Sequence, residues 1–221
     1  MEPGELAYYL FGAAMVAGLV YLMVRVKRWI RGAREELTAA MQRFAHEHGL
    51  EIDYAVPSLR GTVQGVRVTL DRDGIPLRSH EGNVGTCHTL RATLPCPGEQ
   101  RWQLCARHLI PNLTIWVEGF GEAIPAKNDP EFHQGYELRA EPGAEVPFLG
   151  QALILAHLRE QELYYGRAAE GRIELHFPRN SPVPEALGPQ AQLEAVLQAA
   201  LAVHSPARAA ELLGASQPIF R

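Results

Sequence analysis

From Leu6 to Val24 the chain runs for nineteen residues without a charge, LAYYLFGAAMVAGLVYLMV. A helix rises about 1.5 Å per residue, so such a stretch nearly matches the ~30 Å hydrocarbon thickness of a bilayer. The pattern predicts a transmembrane anchor over residues 1–29, with Tyr8, Tyr9 and Trp29 where amphipathic rings prefer the interface. A cleaved signal peptide would want a basic start, a shorter apolar stretch and small residues before the cut. Here Glu2 and Glu5 come first and VRVKRWIRGAR follows, so the anchor is expected to be kept.

Arg25, Lys27, Arg28, Arg31 and Arg34 cluster behind the span. The positive-inside bias then puts the N-terminus outside and the C-terminal domain in the cytoplasm, at a bacterial inner membrane. The same cluster suits anionic headgroups, at roughly 1 kcal/mol per basic residue near the surface. Ala14 with Gly18, and Ala13 with Ala17, form small-xxx-small pairs that would let two copies associate through the helix. The bilayer and a protein within it are the expected partners.

The remainder has the makings of one domain. The chain is 47% apolar and 21% charged, enough to bury a core without staples. Its formal charge is −4 and the basic residues crowd near the anchor, which speaks against nucleic acid as a partner. Only Lys27 and Lys127 are lysines among 21 basic residues, and Ala, Gly and Pro are plentiful, as in products of GC-rich bacterial genomes. Cys87, Cys96 and Cys105 are odd in number and evenly spread, so they read as reduced, buried thiols.

Ile30, Ala33, Leu37, Met41 and Phe44 recur at helical spacing, which predicts a juxtamembrane helix over 30–48 ended by Gly49. A soluble α+β domain is expected over 49–221. Strand patterns follow in LEIDYAV and LRGTVQGVRVTL, with Gln64-Gly65 as a tight hairpin turn and Asp71 to Gly74 as an ordinary turn. TCHTLRATL and RWQLCARHLI read as a second hairpin around Pro95 to Gly98, followed by strands LTIWVEG and YELRA. Pro147 is the expected start of a long helix reaching Gly166 as its C′ residue. GRIELHFP then reads as a strand, Pro189 opens a helix, and Ser205-Pro206 begins a short last one. Strands first and helices later predict a mainly antiparallel sheet with helices on one face.

The pattern yields no catalytic, cofactor-binding or metal-binding residue, and no cofactor. If the second hairpin forms, His88 falls opposite His108, but Cys87 and Cys105 then point to the other face, and two ligands do not make a structural zinc site. Asp71 to Gly74 opens like a calcium loop, yet Gly82 stands where the bidentate Glu is needed. His157 lacks an HExxH or ExxH partner, and His46 and His48 suit a helix end better than a metal. No GxSxG, Walker A or dinucleotide fingerprint occurs. The loop from Gly119 to Gly135, carrying Phe120, Glu122, Lys127, Asp129, Glu131, Phe132 and His133, is long enough to serve as an interaction loop.

The single N-terminal span, LRGTVQGVRVTL, NDPEFHQGYELRA and LREQEL together resemble a group of single-pass, membrane-anchored bacterial proteins of myxobacterial type with no known activity. The resemblance implies the anchored architecture and transfers no site residue. The expectation is therefore a membrane-tethered, non-catalytic binding or scaffold module, an accessory subunit of an inner-membrane complex. The alternatives are an enzyme with a site assembled from dispersed residues, and a regulator sensing lipid or a small ligand.

Overall fold

A computed structural model describes the backbone of residues 3–79, 82–107, 114–115, 121–124, 130–178 and 188–214. The chain divides into two compact units, Met1–Ala40 and Met41–Arg221. Helix α1 (Pro3–His48) runs without a break through residue 29 and stops where Gly49 takes φ +64°, a left-handed conformation open to glycine. Among the described residues no helix is long and apolar enough to cross a membrane. The described side chains begin at Met15, so residues 6–14 of the expected span, with Tyr8, Tyr9, Ala13 and Ala14, lie outside them.

The second unit is α+β, and its sheet is antiparallel throughout. Its strands are β1 (Glu51–Asp53), β2 (Ser58–Val63), β3 (Val66–Ser79), β4 (Gly82–Pro95), β5 (Trp102–Ala106), β6 (Thr114–Ile115), β7 (Glu122–Ala123), β8 (Tyr136–Ala140), β9 (Tyr165–Ala169) and β10 (Arg172–Pro178). Their order is β1-β2-β3-β4-β10-β9-β5-β8-β7, with β6 on the far part of β3. The helices are α2 (Pro130–Gly135), α3 (Ala152–Glu160), α4 (Gly188–His204) and α5 (Ala209–Gly214). Helix α4 packs on β4 and β10, and α3 and α5 pack on α4.

Strand alternation sorts the residues into two layers. One cross-sheet row reads Ile52, Leu59, Leu70, Ala92, Leu175, Gly166, Leu104 and Leu138. All of these but Ile52 are buried, and they form the floor of the core. Leu193, Val196, Leu197, Ala200 and Leu201 of α4 close it at helical spacing, and Phe148 meets Trp102 edge-on at 4.9 Å between ring centroids. Full burial of one such side chain stabilises by about 1.5–3 kcal/mol. The next row reads Glu51, Arg60, Thr69, Thr93, Glu174, Arg167, Gln103 and Arg139, so one face of the sheet is apolar and the other polar.

Several local expectations are corrected. Asp71 to Gly74 is no turn: β3 continues to Ser79, and β4 starts at Gly82. Among the described residues Pro76 lies in a gap on that edge of β3, between the β2 pairing that ends at Asp71 and the β6 pairing that begins at Leu77. The expected hairpin of 86–94 with 101–110 does not form. Strands β10 and β9 lie between β4 and β5, joined to the turn by Cys96 N–H donating to the Gly171 carbonyl at 2.8 Å. LEIDYAV yields only the three residues of β1. Of LTIWVEG, only Thr114 and Ile115 are described.

The long helix is shorter than its pattern. It begins at Ala152, since Phe148 turns into the core ahead of it, and it ends with Glu162 at φ +51°. Glu162 N–H reaches the Arg159 carbonyl at 3.0 Å and Leu163 N–H the Leu158 carbonyl at 3.0 Å, the two bonds of a Schellman ending. Gly166 is therefore in β9, where Leu175 and Trp102 would crowd any added Cβ. Ser205 makes no side-chain cap, and Pro206–Arg208 forms a 3-10 turn before α5.

Candidate functional site

The polar face of the sheet carries the most concentrated chemistry in the described chain. Register places Asp53, Ser58, Asp71, Arg91, His176, Tyr165, Cys105 and Glu137 in one row across eight strands. At its centre Arg91 grips Asp71 with both arms of its fork, Nε to Oδ1 and Nη2 to Oδ2 at 2.8 Å each. Its Nη1 donates to Asp73 Oδ2 at 2.5 Å. Such bidentate, charge-assisted bonds are the strong ones, and hydrogen bonding to Asp71 raises the guanidinium's pKa further. Asp71 and Asp73 share a face because they are two residues apart in β3, which is why the expected turn would have scattered them.

His176 sits beside this cluster, buried, with Nδ1 3.1 Å from Thr89 Oγ1 and its ring 5.5 Å from that of Tyr165. Burial lowers its pKa to about 4, more than Asp73 and Asp71 can raise it. The imidazole is neutral at pH 7. Burial likewise pushes the Cys105 thiol to about 11, with Gln103 Nε2 donating to its sulfur at 3.4 Å, and the Tyr165 hydroxyl to about 12. Burial also raises the Cys87 and Cys96 thiols, so the surroundings favour the thiolate at none of the three. They are free and half-buried, less enclosed than the sequence suggests.

Towards the other end of β3 and β4 the face opens into a cleft of about 880 Å³ over β2, β3, β4 and β10. Arg60, Arg67 and Arg172 reach it, with Thr62, Thr69 and Thr93 between them and Glu51 and Glu174 at its sides. None of these three arginines forms an ion pair among the described residues. No group of His, Cys, Asp or Glu able to hold a metal occurs among the described residues.

Among the described residues, those weighed from the sequence do not converge. His88 is exposed and faces Gly74, and His108 lies outside the described residues. His157 is half-buried on α3 with Nε2 3.5 Å from the Ala195 carbonyl, and burial lowers its pKa. His48 bonds Glu194 at 2.8 Å, tying the last turn of α1 to α4. In the long loop, Phe120, Lys127 and Asp129 lie outside the described residues. Phe132 is buried against Tyr136 with rings stacked at 4.7 Å, and Glu131 pairs with Arg159 at 2.6 Å, so this end of the loop belongs to the domain.

Sequence reasoning missed the polar row because no segment contains it. The signal was the second set of alternate residues in each strand, Arg60 and Thr62, Arg67 and Thr69, Arg91 and Thr93, Arg172 and Glu174, which only register aligns. No family model, curated protein or solved structure matches this chain.

Proposed function

We propose that this chain is a membrane-tethered binding module, held at a bacterial inner membrane with its domain in the cytoplasm, that serves a protein assembly there as an accessory subunit. One observation carries the tether. Leu19, Val20, Tyr21, Leu22, Met23 and Val24 follow one another on α1, each 44% to 67% exposed. Successive helical residues turn by about 100°, so six in a row point in every direction and no side of the helix is covered. Exposing that surface to water costs about 25 cal/mol per Å², whereas hydrocarbon accepts it. In sequence the uncharged run continues back to Leu6, and the cluster from Arg25 to Arg34 sets the orientation.

Binding, more than catalysis, is supported by the polar face. General acids and bases work with a pKa near the operating pH. His176 is neutral far above its pKa of about 4, and Arg91 is locked between two carboxylates. The test is fractionation followed by capture. The full chain should pellet with membranes from cells lysed without detergent, and affinity purification in mild detergent should recover a membrane protein with it. A chain left in the supernatant would sink the tether, and a bare monomer would sink the accessory role.

A further inference from the structure

The geometry points to the cleft on the polar face as a binding site for a small phosphomonoester, a compact dianion carrying a hydroxyl or ammonium donor on its other end. This rests on the reading of the domain as a binding module and is independent of the tether.

Arg60 stands opposite Thr69, so Arg67, two residues before Thr69 on β3, is its diagonal neighbour on the same face. Diagonal neighbours have Cα atoms ~7–8 Å apart, well within reach of two long side chains. Arg172 stands opposite Pro95, and carrying the Thr69 to Thr93 register two residues further brings Arg67 to Pro95 as well. The two arginines thus flank a proline, which offers no polar side chain to engage either. Across two strand spacings, ~10 Å, their forks can meet over one anion. Guanidinium forks match phosphate oxygens in pairs, and the hydroxyls of Thr69 and Thr93 supply further donors below.

Charge limits what fits. Arg91 and Asp71 also line the cleft, and Arg91 is already neutralised by Asp71 and Asp73. Glu51 and Glu174 close the row on both sides of Arg60, Thr69 and Thr93, and they repel any polyanion long enough to run across the strands. Those two carboxylates are instead acceptors for a ligand's hydroxyl or ammonium group. A volume of about 880 Å³ suits a small molecule. Among the described residues the lining offers no aromatic ring on which a sugar or base could stack.

The phosphomonoester could belong to a soluble metabolite or to a lipid headgroup, and calorimetry separates the two. The full chain in detergent micelles is titrated with phosphoethanolamine, with ethanolamine as the control, and separately with short-chain lysophosphatidic acid, whose free glycerol hydroxyl is the donor. Saturable binding of either phosphate compound, absent for ethanolamine, is expected. Tighter binding of lysophosphatidic acid marks the headgroup as the source, and tighter binding of phosphoethanolamine marks a soluble ligand. Arg67→Ala and Arg172→Ala should each weaken binding at least about tenfold. Arg67→Lys, which keeps the charge and loses the fork, should fall between. Both positions are exposed, so unfolding is not expected, and circular dichroism melts of each variant check it. No binding of either phosphate compound by the folded wild type, or undiminished binding by both alanine variants, overturns the site. Neither result would affect whether the chain pellets with membranes.

Discussion

His176 Nδ1 lies 3.1 Å from Thr89 Oγ1, with both residues buried on neighbouring strands of a sheet face that is otherwise polar. Burial holds the imidazole neutral. Its pKa falls from 6.5 in the ordinary state to about 4 in the fold. Between those values the unfolded chain takes up the proton and the native one does not, so stability is lost as pH drops from about 6.5 to about 4. The loss is on the order of 3 kcal/mol for this group. Urea unfolding of the full chain in micelles, compared with His176→Leu across that window, isolates it from the carboxylates. Equal pH slopes for both proteins would contradict the assignment.

Arg91 holds two carboxylates that sit on the same side of β3. Removing it with Arg91→Met leaves Asp71, 13% exposed in its side chain, and Asp73 facing each other unpaired. A loss of about 2 kcal/mol is expected, less than for a fully buried pair because the arginine is partly wet. Asp73→Asn removes the outer carboxylate's charge while the Arg91–Asp71 fork stays in place, and should cost clearly less. Chemical denaturation of the two variants checks the order, and a milder effect for Arg91→Met would be inconsistent with the fork carrying the cluster.

What the sequence could tell depended on range. The Gln64-Gly65 turn was legible because both residues take positive φ, +51° and +83°, a local demand that a two-residue hairpin makes of its turn. Gly166 misled because a glycine after a helical run resembles a C′ residue, while the actual reason for it is the Trp102 and Leu175 side chains packed across the sheet. The expected second hairpin failed for a similar cause. Proximity in sequence suggested a hairpin, but β9 and β10, some seventy residues later, took the place between the two strands. The arginine cleft needs the register of four strands and could not be read from any one of them.

Glu162 supplies the left-handed residue at the end of α3 where glycine is usual. A non-glycine side chain there strains the backbone by about 1 kcal/mol. Glu162→Gly is expected to raise stability by about 0.5–1 kcal/mol, and Glu162→Ala, which keeps the strain and removes the charge, by nearly nothing. Thermal melts of the pair separate the two effects. Equal gains would mean that the carboxylate, not the backbone, was the cost.

Phe44 shows where the domain begins. On α1, Phe44 and Ala45 are buried in the main core while Arg43, His46 and Glu47 are exposed, so the last turns of this helix belong to the second unit. Glu47 accepts a hydrogen bond from Gln190 at 2.6 Å and His48 meets Glu194 at 2.8 Å, adding polar ties to α4. Truncating a fully buried Phe removes its transfer energy and leaves a cavity, so Phe44→Ala should cost about 3–5 kcal/mol, and Phe44→Leu much less. The same packing makes a prediction about fragments. Residues 41–221 should unfold in one cooperative transition, while residues 49–221, the boundary suggested by the glycine alone, should melt at markedly lower temperature because the core has lost its Phe44 lid. Indistinguishable melting of the two fragments would show that these turns add nothing to the core.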